Sequence, residues 1–329
     1  MLIESASIPK FRDRSQAGDD LFVVLPQRLV AVFDGATDAA GVLVDGATPG
    51  RFAASLAANA MVQIASSAQR GTLTPEQWLE AMNKAIRLGL AHADASQVLA
   101  ASTAAIIEDS GDLLRFLIVG DSGIRINGRE TFRFAKDIDV LYTAGRVAVF
   151  EWLRRQGHSG DRLEAATREL VFRGLGQRGR GLLDQREVAK IITTAQAACA
   201  NRLQPDALEM IEQMLLCGIA GAQYQFCNRP DHSLGYGVLN GATTCGPDVL
   251  SFTRRKSEVH SVELFTDGYL TCPIGTQLAD WEAEFLRVEQ ADPSKISLHP
   301  GVKGSSSEYF SDDRTVVTVH CISPDKSTR

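Results

Sequence analysis

The chain lacks the features of zinc-ribbon, disulfide-rich and membrane-spanning proteins. Its six cysteines form no Cys-x-x-Cys pair, which argues against a zinc ribbon and against a disulfide framework. No apolar run is long enough to cross a membrane, and the first residues contain no apolar core of signal-peptide length. From these absences we expect a cytoplasmic protein with reduced thiols and no membrane partner.

Positive charge does not predominate either. The 34 Lys and Arg residues against 40 Asp and Glu residues give a net charge of -6, which argues against nucleic acid or an anionic membrane surface as the main partner. No internal repeat or low-complexity segment is present, and 329 residues of which 44% are hydrophobic can bury a full core. We therefore expect a globular protein, whose oligomeric state the composition leaves open.

The first third of the chain reads as strands and two helices. Adjacent strands are predicted at 19–25 and 28–34, and helical spacing of apolar residues predicts a helix over 52–69. Pro75 and Glu76 in a first turn predict a second helix from Thr74. Three β-like runs between 102 and 135 are separated by turn residues and predict an antiparallel meander.

The middle of the chain is predicted to be helical and the last third to return to strands. Four amphipathic helices are predicted between 137 and about 220. Beyond them we predict a helix near 276–290 and four strands, at 233–241, 248–254, 259–268 and 314–322.

Acidic residues stand at the ends of several apolar runs. Asp34, Asp121 and Asp267 each end such a run, whereas Asp312 and Asp313 directly precede one. Each aspartate alone could simply begin a turn. If the strands lie side by side, however, the carboxylates converge, and a divalent cation would relieve their repulsion. Oxygen ligands without His-x-His or cysteine partners point to Mg²⁺ or Mn²⁺ rather than zinc.

Two other motifs carry less weight. "GDSGI" at 120–124 is similar to a serine-protease motif, but Ile124 replaces its final glycine and the only upstream candidate base is His92, on a predicted helix. "GLGQRG" at 174–179 matches a dinucleotide-binding pattern, but a helix precedes it instead of a strand.

The acidic motifs occur in the order seen in a known family. The segments are "GDDLFVV", "VFDGAT", "ASTAAII", "VGDSGIRI", "FTDGYLT" and "SDDRTVV". In this order the chain resembles the metal-dependent serine/threonine protein phosphatases of the protein phosphatase 2C type, as a divergent, bacterial-like member. The resemblance implies one α+β catalytic domain over 1–329, a four-layer αββα sandwich of two antiparallel sheets flanked by helices, with a helical insertion at 137–231.

The resemblance also implies an activity and a site. The activity is hydrolysis of phosphoserine and phosphothreonine esters in a phosphorylated protein, with two Mg²⁺ or Mn²⁺ ions activating a water. Asp34 would bridge both ions, and Asp20 would orient a metal-bound water. The remaining implied groups are the other ligands Gly35 (through its carbonyl), Asp267 and Asp312, a possible third-metal ligand Asp121, and the possible outer-shell residues Asp19 and Asp313.

Three departures from the family pattern bear on mechanism. "DGATD" replaces the usual Asp-Gly-x-Gly-Gly, so no histidine is available there as a general acid. A phosphate-gripping arginine is expected near the acidic motif, where we favour Arg14 over Lys10 and Arg12. Thr271 stands where many members carry an aspartate that helps to bind a third ion, so we expect two tightly bound ions.

The resemblance leaves two further expectations. Arg178 and Arg180, in a Gly- and Arg-rich stretch of the insertion, are weak candidates for contacts to a phosphoprotein, and a solvated basic loop is the plainer interpretation. The altered loop after Gly35 also allows an alternative function, a pseudophosphatase that binds a phosphoprotein or regulatory partner without turnover.

Overall fold

Two antiparallel sheets form the centre of the protein in a computed structural model that describes residues 2–36, 41–68, 70–176, 182–243 and 246–321. The strand order is β1-β10-β9-β6-β7 in sheet A and β2-β3-β4-β5-β8 in sheet B. The strands are β1 (Leu2–Ile8), β2 (Leu21–Leu25), β3 (Leu29–Gly35), β4 (Ser102–Asp109), β5 (Leu113–Val119), β6 (Gly123–Ile126), β7 (Glu130–Phe132), β8 (Val249–Arg255), β9 (Ser261–Phe265) and β10 (Arg314–His320).

Helices cover the outer faces of both sheets. The α-helices of the described residues are α1 (Pro49–Ser66), α2 (Pro75–His92), α3 (Asp137–Arg155), α4 (Gly160–Arg173), α5 (Gln185–Cys199), α6 (Pro205–Ala222) and α7 (Leu278–Ala291). Local sequence explains where the first two begin: Thr48 and Thr74 cap α1 and α2, and each helix starts with a proline. None of these helices, within the described part of the chain, is long and apolar enough to span a bilayer.

The layers follow from the alternation of side chains along the strands. In β3, Leu29, Ala31 and Phe33 pack against α1 and α2. Val30 and Val32 point the other way, into an apolar core shared with sheet A. On the outer face of sheet A, residues of β9 and β10 pack against Trp281 and Phe285 of α7. The predicted αββα sandwich is therefore confirmed.

Helices α3 to α6 form a core of their own beside the sandwich. Their apolar faces pack around a buried cluster that includes Leu141, Val149, Ile191 and Met214. Within α6 the helix breaks at Gly218, whose φ of 73° is left-handed and whose absent side chain leaves room for the backbone at Gly174. The four helices agree with the predicted helical segment, while its description as an insertion at 137–231 in one domain stays a prediction.

Three details of the predicted secondary structure were wrong. The N-terminal strand β1 was missed: it is an edge strand that pairs with β10, far away in sequence. The three runs between 102 and 135 do not form one meander, since β5 belongs to sheet B and β6 to sheet A. Residues 233–241 make only isolated bridges, because the Asn228 side chain rather than a neighbouring strand accepts the Val238 N–H, at 3.0 Å.

Candidate metal centre

Strand register brings Asp34 to the gap between the sheets. Its side chain has the same orientation as those of Val30 and Val32, which pack in the inter-sheet core. Asp34 is paired in register with Thr103 of β4, whose hydroxyl lies 2.7 Å from the Ser122 hydroxyl. The Asp34 carboxylate thus lies at the edge of the apolar core between the two sheets.

Asp121 reaches the same place through a crossing between the sheets. Gly120, directly after β5, has a left-handed φ of 73°, and a Cβ there would come within 2.6 Å of the Thr103 side chain. A glycine is therefore required for the chain to leave sheet B and enter β6 of sheet A. Asp121 lies in this crossing and is 5% exposed.

Asp267 and Asp312 come from neighbouring strands of sheet A. β9 ends just before Asp267 and β10 begins just after Asp312, and the Thr266 N–H donates to the Thr315 carbonyl at 3.0 Å. Carboxylate oxygens of Asp34, Asp121 and Asp267 all lie within 4.8 Å of one another. Asp312 lines the same cavity of about 510 Å³. The structure therefore brings together the four acids that sequence analysis proposed as metal ligands.

Burial and neighbouring negative charge raise the pKa of two of these acids. Burial and the neighbouring Asp267 raise the pKa of Asp34 well above its ordinary value. Burial and Asp312 raise the pKa of Asp267 to about 7. Among the described residues, no lysine, arginine or histidine forms an ion pair with either carboxylate. A hard divalent cation would supply the missing positive charge, so the donor set fits Mg²⁺ or Mn²⁺.

Two lysines that sequence analysis missed accompany the other two acids. Lys136 Nζ lies 2.6 Å from Asp121 Oδ2, and Lys303 Nζ lies 2.7 Å from Asp312 Oδ2. Burial alone would raise the pKa of both carboxyl groups, but the adjacent ammonium groups lower it. Both lysines line the cavity. The centre thus combines two lysine ammonium groups with four carboxyl groups in one cavity.

Arg133 fixes the backbone of two acidic segments and was also missed. Its guanidinium donates to the carbonyl oxygens of Asp121 at 3.1 Å, Tyr269 at 2.9 Å and Asp267 at 3.5 Å. This one side chain therefore ties the crossing at Asp121 to the turn after β9. In the sequence it was only one residue of a short β-like run.

Asp20 lies next to the centre and is buried. It accepts a hydrogen bond from the Thr266 hydroxyl at 2.7 Å, directly before Asp267. Burial and Asp313 raise its pKa well above the ordinary value. It lines a second, smaller cavity together with Asp313, and not the cavity of the four acids. Its proposed role in orienting water stays a prediction.

Asp19 and Asp313 hold the N-terminal segment against β10. Asp313 accepts from the backbone N–H groups of Lys10 at 2.6 Å and Asp19 at 3.0 Å. Asp19 in turn accepts from the hydroxyl of Thr48, the cap of α1, at 2.5 Å. Through these contacts, Asp19 and Asp313 help to fix the backbone beside their sequence neighbours Asp20 and Asp312.

The basic residues near the acidic motif do not reach the cavity. Arg14 is exposed and does not line the cavity of the four acids. Arg12 donates to the Ser306 carbonyl at 2.9 Å, and Lys10 Nζ lies 3.3 Å from Asp313. The structure thus does not bring Arg14 to the proposed metal ligands. The two candidate recognition residues of the insertion, Arg178 and Arg180, lie outside the described residues.

Gly35 and Thr271 have packing roles that the sequence did not show. A Cβ on Gly35 would lie 2.5 Å from the backbone of Gly50, so the absence of a side chain lets α1 approach the end of β3. The Gly35 backbone still lines the cavity, as its proposed role as a carbonyl ligand requires. The Thr271 hydroxyl donates to Glu284 of α7 at 2.5 Å, and Thr271 does not line the cavity.

No family model and no curated protein matches this chain. Similar solved structures include the photosystem II phosphatase PBCP, with 11% identity, coverage of 97% of this chain and 98% of the other, and a TM-score of 0.49. The serine/threonine phosphatase PstP/Ppp of Mycobacterium tuberculosis has 16% identity, coverage of 96% and 97%, and a TM-score of 0.45. The PstP catalytic domain in complex with two manganese ions has 15% identity, coverage of 96% of each chain, and a TM-score of 0.44.

Proposed function

We propose that this protein is a metal-dependent phosphatase that hydrolyses phosphoserine and phosphothreonine esters. The observation that carries the proposal is the convergence of Asp34, Asp267 and Asp312 in one cavity of about 510 Å³, with carboxylate oxygens of Asp34 and Asp267 within 4.8 Å of each other. The order of the acidic motifs along the chain supports the same function through its resemblance to the protein phosphatase 2C type.

The chain's own groups divide into ligands and supports. Asp34, Asp267, Asp312 and the Gly35 carbonyl would hold Mg²⁺ or Mn²⁺. When bound, such ions supply Lewis acidity and a water nucleophile at neutral pH. Arg133 keeps the segments of Asp121 and Asp267 in register by binding their carbonyl oxygens. Lys136 and Lys303 present positive charge to the same cavity, where the phosphoryl group would lie.

The helical segment would recognise the substrate around the phosphorylated residue. Phe172 and Arg173 at the end of α4, and Ile219 and Tyr224 in and after α6, line the cavity that contains the acids. Leu99, which is 54% exposed, lines it from the loop before β4. We therefore assign helices α3 to α6, within the predicted 137–231 insertion, to contacts with the polypeptide of the substrate.

A single assay tests the proposed activity. The purified protein is incubated with p-nitrophenyl phosphate, with and without Mn²⁺, and again after chelation with EDTA. We expect turnover that requires the divalent ion. Turnover that survives exhaustive chelation would exclude the metal mechanism, and binding of phosphopeptides without turnover under any divalent ion would favour a pseudophosphatase.

A further inference from the structure

A lysine side chain stands beside Asp121 within the candidate metal centre. Lys136 is the residue at the N-terminal boundary of α3, and its Nζ lies 2.6 Å from Asp121 Oδ2 and 3.6 Å from Asp139 Oδ2. The Lys136 and Asp121 side chains are 13% and 8% exposed. The ammonium group also lies 5.5 Å from the centre of the Tyr236 ring, so it is enclosed by acids and by an aromatic face.

We propose that the Lys136 ammonium group takes the place of a third divalent ion at Asp121 and gives the substrate phosphoryl group a fixed cation there. The proposal rests on the phosphatase function proposed above. It identifies Lys136 as the residue that limits the centre to two ions. Thr271 does not line the cavity and therefore cannot set this limit directly.

Contact distances support the first half of the proposal, that Lys136 takes the place of a third ion at Asp121. A Mg²⁺ ion binds carboxylate oxygen at about 2.0 to 2.1 Å, so an ion on Asp121 Oδ2 would lie against the ammonium nitrogen already 2.6 Å from that oxygen. Two cations at such a separation repel strongly in a buried site. An ion could bind at this oxygen only if Lys136 moved, and its movement would leave Asp139 without this partner. Lys303 contacts Asp312 Oδ2 at 2.7 Å in the same way, so an ion on that oxygen of Asp312 would also require its lysine to move.

The cavity supports the second half of the proposal, that Lys136 contacts the substrate phosphoryl group. Lys136 lines the same cavity as Asp34, Asp267 and Asp312. An ammonium group has three donors, and the nearest acceptor, Asp121, takes one of them while Asp139 lies farther away. Even if Asp139 takes a second donor, one donor would remain for a phosphate oxygen in this cavity. A charged hydrogen bond of this kind contributes about 1.5 to 3 kcal/mol, which corresponds to about tenfold or more in affinity.

Manganese stoichiometry tests the first half without using activity. Calorimetric titration of the metal-free protein should give two Mn²⁺ sites in the wild type and a third, weaker site in Lys136→Met. Lys256→Met is the matched control, because Lys256 also pairs with an aspartate, Asp109, but does not line the cavity. It should keep two sites. Three tight sites in the wild type, or only two in Lys136→Met, would overturn the inference, whereas no Mn²⁺ binding by the wild type would overturn the proposed function itself.

A second variant keeps the test informative if Lys136→Met does not fold by circular dichroism. Asp121→Asn should retain two Mn²⁺ sites, since Asp121 forms an ion pair with Lys136 and is a ligand of neither ion. A fall to one site would overturn the inference.

Steady-state kinetics test the second half. At a Mn²⁺ concentration that fills only the two tight sites, Lys136→Met should raise KM for p-nitrophenyl phosphate about tenfold or more, with a smaller change in kcat. Lys136→Arg, which retains the charge, should recover most of this loss. An unchanged KM in Lys136→Met would overturn the inference that Lys136 contacts the phosphate, and so would a loss confined to kcat.

Discussion

Asp34 lies in β3 of sheet B and Asp267 follows β9 of sheet A, yet a carboxylate oxygen of each lies within 4.8 Å of the other. The two side chains meet because both strands end at the same edge of the sandwich. Their mutual repulsion adds to the effect of burial, so both have raised pKa values, that of Asp267 being about 7. The fold therefore holds a destabilising contact that a bound cation would relieve.

The first prediction concerns pH and stability. A carboxyl with a raised pKa binds more protons in the folded than in the unfolded state between its two pKa values, so the free energy of unfolding falls as pH rises through that window. For Asp267 the window runs from the ordinary value of 3.8 to about 7. We expect the melting temperature of the metal-free protein to fall over this range. Excess Mn²⁺ should largely remove the fall.

Thermal melts in EDTA and in Mn²⁺ check this prediction. Asp267→Asn is the informative variant, since it removes one of the repelling charges and should flatten the pH dependence of the metal-free protein. A melting temperature of the metal-free wild type that rises steadily from pH 4 to pH 7 would contradict the assignment.

The second prediction concerns Asp34, the proposed ligand of both ions. Asp34→Asn should lower kcat/KM on the order of a thousandfold, because metal binding supplies several kcal/mol of transition-state stabilisation. Asp94→Asn is the matched control: Asp94 is exposed, and its left-handed φ of 52° suits asparagine. The control should retain wild-type activity.

Loss of activity in Asp34→Asn must be separated from loss of the fold. Circular dichroism should be unchanged, and Mn²⁺ affinity should fall together with activity. A folded variant that keeps more than about a tenth of wild-type kcat/KM would show that Asp34 is not the bridging ligand.

Residues of the site differ in how far sequence could predict them. The four acids were predictable because each borders an apolar run, and strand alternation fixes the side to which Asp34 points. Lys136 was not, because its partner Asp121 meets it only after β5 crosses to β6 in the other sheet. A single lysine between a short strand and a helix carries no periodic signal.

The same limit applies to the fold. Helix α1 was predictable from apolar spacing, although the predicted segment began at 52 and missed the cap Thr48, and α2 was predictable from Thr74 and the Pro75 that follows it. Strand β1 has a half-buried pattern that becomes a strand only through pairing of Leu2 with His320 and of Ile8 with Arg314. Such a pairing joins the two ends of the chain and is invisible to any local pattern.

The third prediction concerns Arg133 as a positioning residue. Arg133→Lys keeps the charge but cannot reproduce the fork that reaches three carbonyl oxygens. We expect a loss of about tenfold in kcat/KM, with weaker Mn²⁺ binding, because the acidic segments lose their common anchor. Arg129→Lys, on the exposed turn between β6 and β7, is the control. Unchanged Mn²⁺ affinity together with unchanged kcat/KM in Arg133→Lys would show that the anchor is dispensable.

The last prediction concerns substrate recognition by the helical segment. Phe172 and Arg173 line the cavity from the end of α4, beyond the proposed metal ligands. Replacing Arg173 with alanine should leave hydrolysis of p-nitrophenyl phosphate nearly unchanged, because this small ester occupies only the space next to the ions. Turnover of a phosphoprotein should fall, since its polypeptide must pass the end of α4. Arg186→Ala, an exposed change on α5 away from the cavity, should affect neither substrate.

Paired kinetics on the two substrates distinguish recognition from chemistry. A loss in kcat/KM restricted to the phosphoprotein places Arg173 among the groups that bind the polypeptide, and the double replacement of Arg178 and Arg180 then tests whether recognition extends along the adjoining segment. Equal losses on both substrates would instead place Arg173 at the phosphoryl group. In that case the basic end of α4 would supply the phosphate contact that sequence analysis expected from Arg14.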